Sequence, residues 1–156
     1  PNIIGVNRKG GAVKGCSKVI TVDKIDGVLP EADILYLATP ETPETKNLIS
    51  RERLNLLKPS CGIVNIGRQS AIDYDALCEK LTDKKIAGAI LDVFTHEPIK
   101  SDSKLWGVPN LIITPHVSAD DGESYVRLTL ELFMENLELF INNRPLVNQI
   151  DKKLGY

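Results

Sequence analysis

Three polar residues of this sequence, Arg68, Asp92 and His116, each follow a short apolar run. If these runs are parallel strands, the three side chains converge on one crevice, because open parallel sheets bind ligands at the carboxyl ends of their strands. Glu97 lies one short loop after Asp92. The sequence therefore predicts a crevice lined by a cation, an imidazole and two carboxylates.

These residue types suit the transfer of a proton and a hydride on a small acid. The planar fork of Arg68 matches a substrate carboxylate, and His116 can exchange a proton near neutrality. A carboxylate such as Glu97 beside the imidazole favours its protonated form and fixes its orientation, as reduction of a ketone to an alcohol requires. His96 is the only other histidine, and without a cluster of cysteines and carboxylates we expect no metal site.

Each residue taken alone also has a simpler structural interpretation. Arg68 can lie in a surface ion pair, and Glu97 before a proline can open a turn. His116 can hydrogen-bond its own loop, and Asp92 can cap a turn. Only the combination of the four residues favours a catalytic site.

The elements that must position these residues form an alternation of apolar runs and helical patterns, which is typical of parallel strands linked by crossover helices. We therefore predict an α/β fold. The runs are apolar almost throughout, as expected of strands covered on both faces. The predicted strands are residues 3–6, 18–22, 34–38, 62–66, 86–91 and 111–114.

Three segments have the periodicity of helices. Residues 50–57 end before Lys58-Pro59, since proline disfavours helical geometry in the preceding residue. Asp73 is a suitable N-cap for residues 74–81. Residues 121–141 repeat apolar side chains on one side, which predicts that this side is buried. A second subunit is one candidate for the surface that covers it.

Composition limits the function classes. A length of 156 residues fits one domain, and a net charge of -2 argues against nucleic acid or an anionic membrane as partner. Apolar runs are too short to span a bilayer. The cysteines Cys16, Cys61 and Cys78 form no paired framework, which favours a cytoplasmic location.

Several longer stretches resemble the signatures of the D-isomer-specific 2-hydroxyacid dehydrogenases. Residues 57–68 (LKPSCGIVNIGR) are similar to one signature, and residues 91–98 (LDVFTHEP) and 110–119 to the next two, in the same order. Residues 39–42 (TPET) resemble an earlier cofactor-contacting loop. Residues 144–148 (RPLVN) resemble the family's C-terminal tail, which returns to the substrate domain.

The resemblance implies a role for each matching residue. Arg68 would bind the substrate carboxylate and polarise its keto group, His116 would carry the hydroxyl proton, and Glu97 would pair with His116. His96 would be a bystander. The resemblance also places Asp92 near the nicotinamide ring of a bound cofactor. The cofactor contacts that it implies are Thr39, Pro40, Ile66, Gly67, Asp92, Ser118 and Ala119.

One departure from the family pattern concerns the phosphate-binding loop. No G-x-G-x-x-G is present, and residues 10–15 (GGAVKG) do not qualify because they follow the second strand of the unit. We therefore expect residues 1–156 to be a fragment of an NAD(P)-binding domain. Its fold would be an incomplete doubly wound, Rossmann-like sheet that lacks its first strand and glycine loop and exposes an edge or apolar face.

A second departure follows Arg68, where Gln69 and Ser70 replace a glycine-led continuation. This change should adjust the loop without removing the cation. At the end of the first predicted strand, Asn7-Arg8-Lys9 contains two cations and no acid. An acid there grips the ribose of NAD, whereas arginine accommodates the phosphate of NADP, so NADP(H) is favoured over NAD(H), and a solvated loop is the alternative.

The leading hypothesis is an oxidoreductase that interconverts a 2-keto acid and a D-2-hydroxy acid with a nicotinamide cofactor, such as a glyoxylate or hydroxypyruvate reductase. The family also implies a homodimer paired through this domain. A second hypothesis is a noncatalytic dinucleotide-sensing or dimerisation module of the corepressor type. A third is a purely structural fragment, supported by the missing glycine loop.

Overall fold

The computed structural model describes residues 1–153, so the last three residues of the predicted range 1–156 lie outside the description. Every predicted strand and helix is present, most of them shorter by one or a few residues. The strands are β1 (Ile4–Val6), β2 (Lys18–Ile20), β3 (Ile34–Leu37), β4 (Gly62–Asn65), β5 (Gly88–Leu91) and β6 (Leu111–Ile113). The α-helices are α1 (Arg51–Leu56), α2 (Tyr74–Thr82) and α3 (Tyr125–Ile141).

The strands form two parallel sheets. β1 pairs with β2, and the other four strands pair in the order β3-β4-β5-β6. The predicted α/β class with parallel strands is confirmed. β1 and β3 each pair with only one strand among the described residues, so the expected open sheet edge is also confirmed.

The connections between the strands differ in their structure. α1 and α2 join β3 to β4 and β4 to β5, but β1 and β2 are joined by an irregular loop. In that loop Gly10 and Gly15 take φ values of +66° and +91°, a region that glycine enters without strain. Short 3-10 helices lie between β2 and β3 and between β5 and β6.

The core lies between the larger sheet and helices α1 and α2. Asp73 caps α2 as predicted, its carboxylate accepting the N–H of Ala76 at 2.9 Å. Leu77 and Leu81 of α2 are fully buried on one face. They pack with the inward-facing residues of the strands, among them Ile63 and Leu91, so this helix fixes the sheet that carries the candidate site.

The opposite face of the larger sheet is uncovered among residues 1–153. Ile34, Tyr36 and Ile112 are 68%, 58% and 58% exposed. The prediction of strands covered on both faces is wrong for these residues, because both α-helices of the connections pack on the same core cluster. The expected exposed apolar face is confirmed.

The last helix begins four residues later than predicted. The side chain of Asp121 accepts the N–H groups of Glu123 and Ser124, which makes a turn before α3 starts at Tyr125. No side chain of α3 is buried in the described chain, so contacts within residues 1–153 do not provide the predicted burial of one side. Among these residues, no helix is long and apolar enough to cross a membrane.

Candidate active site

Arg68 follows β4 in a loop that lies directly against the end of β3. A Cβ atom at Gly67 would lie 2.7 Å from the carbonyl oxygen of Thr39 and 2.8 Å from its nitrogen. Only glycine fits at such a separation. The close approach brings the arginine loop and the loop after β3 into contact.

Asn65, the last residue of β4, holds this loop from the interior. Its Oδ1 accepts the N–H of Gly67 and its Nδ2 donates to the carbonyl oxygen of Arg68, both at 3.1 Å. Asn65 is fully buried. The side chain of Arg68 is exposed and donates from Nη1 to the carbonyl oxygen of Gly67 at 2.7 Å. Arg68 forms no salt bridge within residues 1–153, which leaves most of its fork directed to solvent.

The arginine loop is also fixed at its far side. Gln69, Ser70 and Ala71 form a short 3-10 helix, and the hydroxyl of Ser70 donates to Oε2 of Glu41 at 2.8 Å. Ser70 therefore ties the arginine loop to the segment that contains Thr39. The side chain of Arg68 remains exposed beside this 3-10 helix.

Asp92 is buried at the end of β5 and organises the loop after β6. Its Oδ1 accepts the hydroxyl of Thr114 at 2.5 Å and the N–H of Val117 at 2.9 Å, and its Oδ2 accepts the N–H of Ser118 at 2.9 Å. Burial alone would raise the pKa of Asp92, but the hydrogen bonds from Thr114, Ser118 and Val117 outweigh it and lower the pKa to about 2. An ionised Asp92 thus fixes the segment that contains His116.

His116 lies in this segment and pairs with Glu97. Nδ1 of His116 is 2.8 Å from Oε2 of Glu97, whose Oε1 accepts the N–H of Phe94 at 2.7 Å. The hydrogen bonds from His116 and Phe94 lower the pKa of Glu97. His116 has a φ of +58°, an uncommon value for a non-glycine residue, and such residues concentrate at functional sites.

The structure places Arg68, Asp92 and His116 at the carboxyl ends of the adjacent strands β4, β5 and β6, as the apolar runs predict. His116 and Glu97 are in direct contact. Arg68 hydrogen-bonds only within its own loop among the described contacts. The geometry thus gives a histidine–carboxylate pair after β5 and β6, and a cation available to a ligand after the neighbouring strand β4.

The loop after β3 has the character of a ligand-binding segment. The hydroxyl oxygen of Thr39 is buried and has no hydrogen-bond partner within residues 1–153. Thr45 shapes the rest of the loop by donating to the carbonyl oxygen of Pro40 at 2.6 Å. Because a buried polar atom without a partner is costly, the Thr39 hydroxyl fits a site that a polar ligand such as a dinucleotide completes.

The remaining cofactor candidates lie at two places in the chain. Ser118 and Ala119 are exposed in the loop that Asp92 organises. At the end of β1, Oδ1 of Asn7 accepts the N–H groups of Lys9 and Gly10 at 3.0 and 2.7 Å. Asn7 therefore shapes the turn that presents the exposed side chain of Arg8, rather than extending into solvent itself.

Sequence reasoning missed Asn65 and Tyr74, whose side chains bond to each other at 3.2 Å. The signal for Asn65 was present, since an asparagine inside a buried apolar strand needs hydrogen-bond partners. A cavity of about 530 Å³ is lined by Tyr74 and His96. Within residues 1–153, no three histidine, cysteine, aspartate or glutamate residues are grouped to hold a metal ion.

A parallel α/β sheet with a histidine–carboxylate pair and an arginine at its carboxyl edge defines a nucleotide-binding domain of the dehydrogenase class. The chain belongs to the D-isomer specific 2-hydroxyacid dehydrogenases, since residues 1–118 match the model of that family's NAD binding domain. It is 38% identical over 153 residues to an uncharacterized protein in the proB 3'region of Corynebacterium melassecola. It is 44% identical over 100 residues to glyoxylate/hydroxypyruvate reductase B of Pectobacterium carotovorum.

Solved structures of the family have the same fold. A D-isomer specific 2-hydroxyacid dehydrogenase from Xanthobacter autotrophicus Py2, in complex with NADPH and MES, matches 99% of this chain with a TM-score of 0.88 and 31% identity. An NADPH-dependent glyoxylate/hydroxypyruvate reductase from Sinorhizobium meliloti, in complex with NADP and sulfate, matches 98% with a TM-score of 0.87 and 28% identity. The aligned regions cover 63% and 49% of those two chains.

The aligned regions also cover only part of the length of the curated relatives. They cover 98% and 64% of this chain but only 50% and 31% of the Corynebacterium and Pectobacterium proteins. The chain therefore spans about half the length of the curated relatives it matches, or less. It corresponds to part of each of these longer proteins.

Proposed function

We propose that the protein containing this chain is a nicotinamide-dependent oxidoreductase that interconverts a 2-keto acid and a D-2-hydroxy acid. The observation that carries the proposal is the contact of 2.8 Å between His116 and Glu97, one strand away from the exposed Arg68. A hydrogen-bonded imidazole is suited to general acid–base catalysis, and a guanidinium to holding a carboxylate. Glyoxylate and hydroxypyruvate are the proposed substrates, because a curated relative and a solved structure are named as glyoxylate/hydroxypyruvate reductases.

Each site residue has a defined part in the proposed reduction. Arg68 binds the carboxylate of the keto acid and polarises its carbonyl group. A nicotinamide cofactor held by the residues named below would supply the hydride for this reduction. His116 gives its proton to the carbonyl oxygen, which completes the alcohol, and Glu97 orients the imidazole and stabilises its charged form.

We further propose that Thr39, Pro40, Ile66, Gly67, Asp92, Ser118 and Ala119 contact the cofactor, with the buried hydroxyl of Thr39 as the supporting observation. NADP(H) is preferred over NAD(H). This preference follows from Arg8 at the end of β1, where the turn shaped by Asn7 contains no acid.

The setting of the chain is also part of the proposal. Residues 1–156 form part of one NAD(P)-binding domain, and residues 144–148 lead toward a substrate domain. The uncovered apolar side chains of α3 favour a homodimer. Neither nucleic acid nor membrane is a partner, given the small net charge of -2. The free cysteines favour a cytoplasmic location.

The test compares this chain with a version extended N-terminally by the substrate domain and glycine loop of the family. Oxidation of NADPH and NADH is measured with glyoxylate, hydroxypyruvate and pyruvate. We expect activity in the extended protein, abolished by His116→Ala and retained by His96→Ala. Cofactor binding without turnover of any keto acid would instead indicate the noncatalytic sensing module.

A further inference from the structure

A buried tyrosine lies between the arginine loop and the histidine–glutamate pair. Tyr74 is the first residue of α2 and is 9% exposed. Its hydroxyl donates to the carbonyl oxygen of Val93 at 2.8 Å and accepts from Nδ2 of Asn65 at 3.2 Å. Since Asn65 ends β4 and Val93 follows β5, one side chain bonds to both strand ends that the site uses.

On the β4 side, the contact continues to Arg68. An asparagine amide has two N–H donors, and Asn65 uses one on the carbonyl oxygen of Arg68 and the other on Tyr74. Its oxygen accepts the N–H of Gly67. Loss of the Tyr74 hydroxyl would leave a buried N–H without its partner, in the side chain that holds the arginine loop.

On the β5 side, the contact continues to His116. Val93 precedes Phe94, whose N–H is accepted by Glu97, and Glu97 in turn contacts His116. The rings of Tyr74 and Phe94 also meet edge to face, with centroids 6.3 Å apart. Tyr74 therefore holds the backbone that orients Glu97. Burial raises the pKa of the Tyr74 phenol, so its hydroxyl stays protonated and able to donate.

We propose that Tyr74 is a positioning residue that sets the spacing between Arg68 and the His116–Glu97 pair, an inference that depends on the function proposed above. A keto acid must reach the guanidinium with its carboxylate and the imidazole with its carbonyl oxygen at the same time. A change in this spacing weakens both contacts. A tyrosine that only filled the core would need its ring and not its hydroxyl.

The test is Tyr74→Phe in the full-length protein, which removes the hydroxyl and keeps the ring. We expect the KM for the keto acid to rise about tenfold, and by more than the KM for NADPH, because the arginine loop loses its anchor. Leu81→Val is the matched control, since Leu81 is a fully buried residue of the same helix. Leu81→Val should lower thermal stability and leave both KM values unchanged. Equal kinetic constants in the two variants would overturn the proposal.

A second readout needs no activity. The N–H groups of Gly67 and Phe94 are hydrogen-bonded at the two ends of the contact path. In Tyr74→Phe both should exchange with deuterium about tenfold faster than in the unmodified protein and in Leu81→Val. Faster exchange in a protein that reduces no keto acid would support the positioning contacts and refute only the proposed reaction. Unchanged exchange at both amides would refute the positioning role itself.

Discussion

Glu97 uses both oxygens of its carboxylate, one on Nδ1 of His116 at 2.8 Å and the other on the N–H of Phe94 at 2.7 Å. The carboxylate is therefore fixed by the backbone before it contacts the imidazole. Because the N–H of Phe94 sets its position, Glu97 can orient the ring of His116 even though both side chains are partly exposed. The contact at Nδ1 leaves Nε2 as the ring nitrogen of His116 that can meet a ligand.

Replacing Glu97 with glutamine tests this arrangement. Glu97→Gln keeps an oxygen for the N–H of Phe94 but removes the charge that stabilises the protonated imidazole. We expect kcat for keto-acid reduction to fall about a hundredfold, with the thermal midpoint nearly unchanged. Glu135→Gln, an exposed position on α3, is the control and should leave kcat as it is. A Glu97→Gln protein with full kcat would remove Glu97 from the proposed mechanism.

Arg8 offers a test of cofactor choice. Arg8→Gln removes the cation that is proposed to face the additional phosphate of NADPH. The KM for NADPH should rise about tenfold, and the KM for NADH should not change. Lys14→Gln removes an exposed cation from the same loop and is the control. Equal effects on NADPH and NADH would show that Arg8 supports the loop rather than the phosphate.

Gly67 should tolerate no side chain. Gly67→Ala would place a Cβ 2.7 Å from the backbone oxygen of Thr39, so the two loops must separate. We expect a loss of about 1–3 kcal/mol in the free energy of unfolding, measured with denaturant. Gly62→Ala at the start of β4 meets nothing within 4 Å and is the control, with a change below about 1 kcal/mol. Similar losses in both variants would contradict the close approach.

Asp92 predicts a specific loss of stability in acid. Its pKa is about 2 in the folded protein, against 3.8 for the unperturbed group. The lowered pKa stabilises the fold above pH 4 or so, and this stabilisation disappears as the pH falls through about 2. It amounts to roughly 2 kcal/mol in the free energy of unfolding.

Unfolding measured between neutral pH and about pH 2 in Asp92→Asn checks this contribution. The variant should be less stable at neutral pH and should lose less stability on acidification than the unmodified protein. Asp102→Asn removes an exposed acid and should follow the unmodified protein. Parallel acid curves for Asp92→Asn and the unmodified protein would mean that the carboxylate is not held as the structure shows.

The strands and the strand-end positions of Arg68, Asp92 and His116 could be predicted because short apolar runs are a local signal. The connections were harder. The loop with Gly10 and Gly15 and the 3-10 helix containing Pro30 were not predicted, since backbone preferences there outweigh apolar periodicity. The runs also gave no sign of which sheet face stays uncovered, because strands buried on one face or both can be equally apolar.

The residues proposed for the site came from the sequence, but the bonds that support them did not. The pairing of Glu97 with His116 came from a family resemblance, and the structure brings the two into contact. The bonds from Asn65 and Tyr74 join residues that are far apart in the sequence, and no spacing rule predicts them. The same holds for Asp92, whose carboxylate is committed to the loop after β6.

The two sheets differ in how firmly they are anchored. β1 and β2 have three residues each, and of these only Ile20 is buried, outside the main core cluster. This pair should open at a lower free energy than the larger sheet, as a separate cooperative unit. A ligand held by Arg8 would have to order the pair as it binds, so its affinity would include an entropic cost of ordering. Cofactor preference in this chain would then depend on local folding as well as on charge.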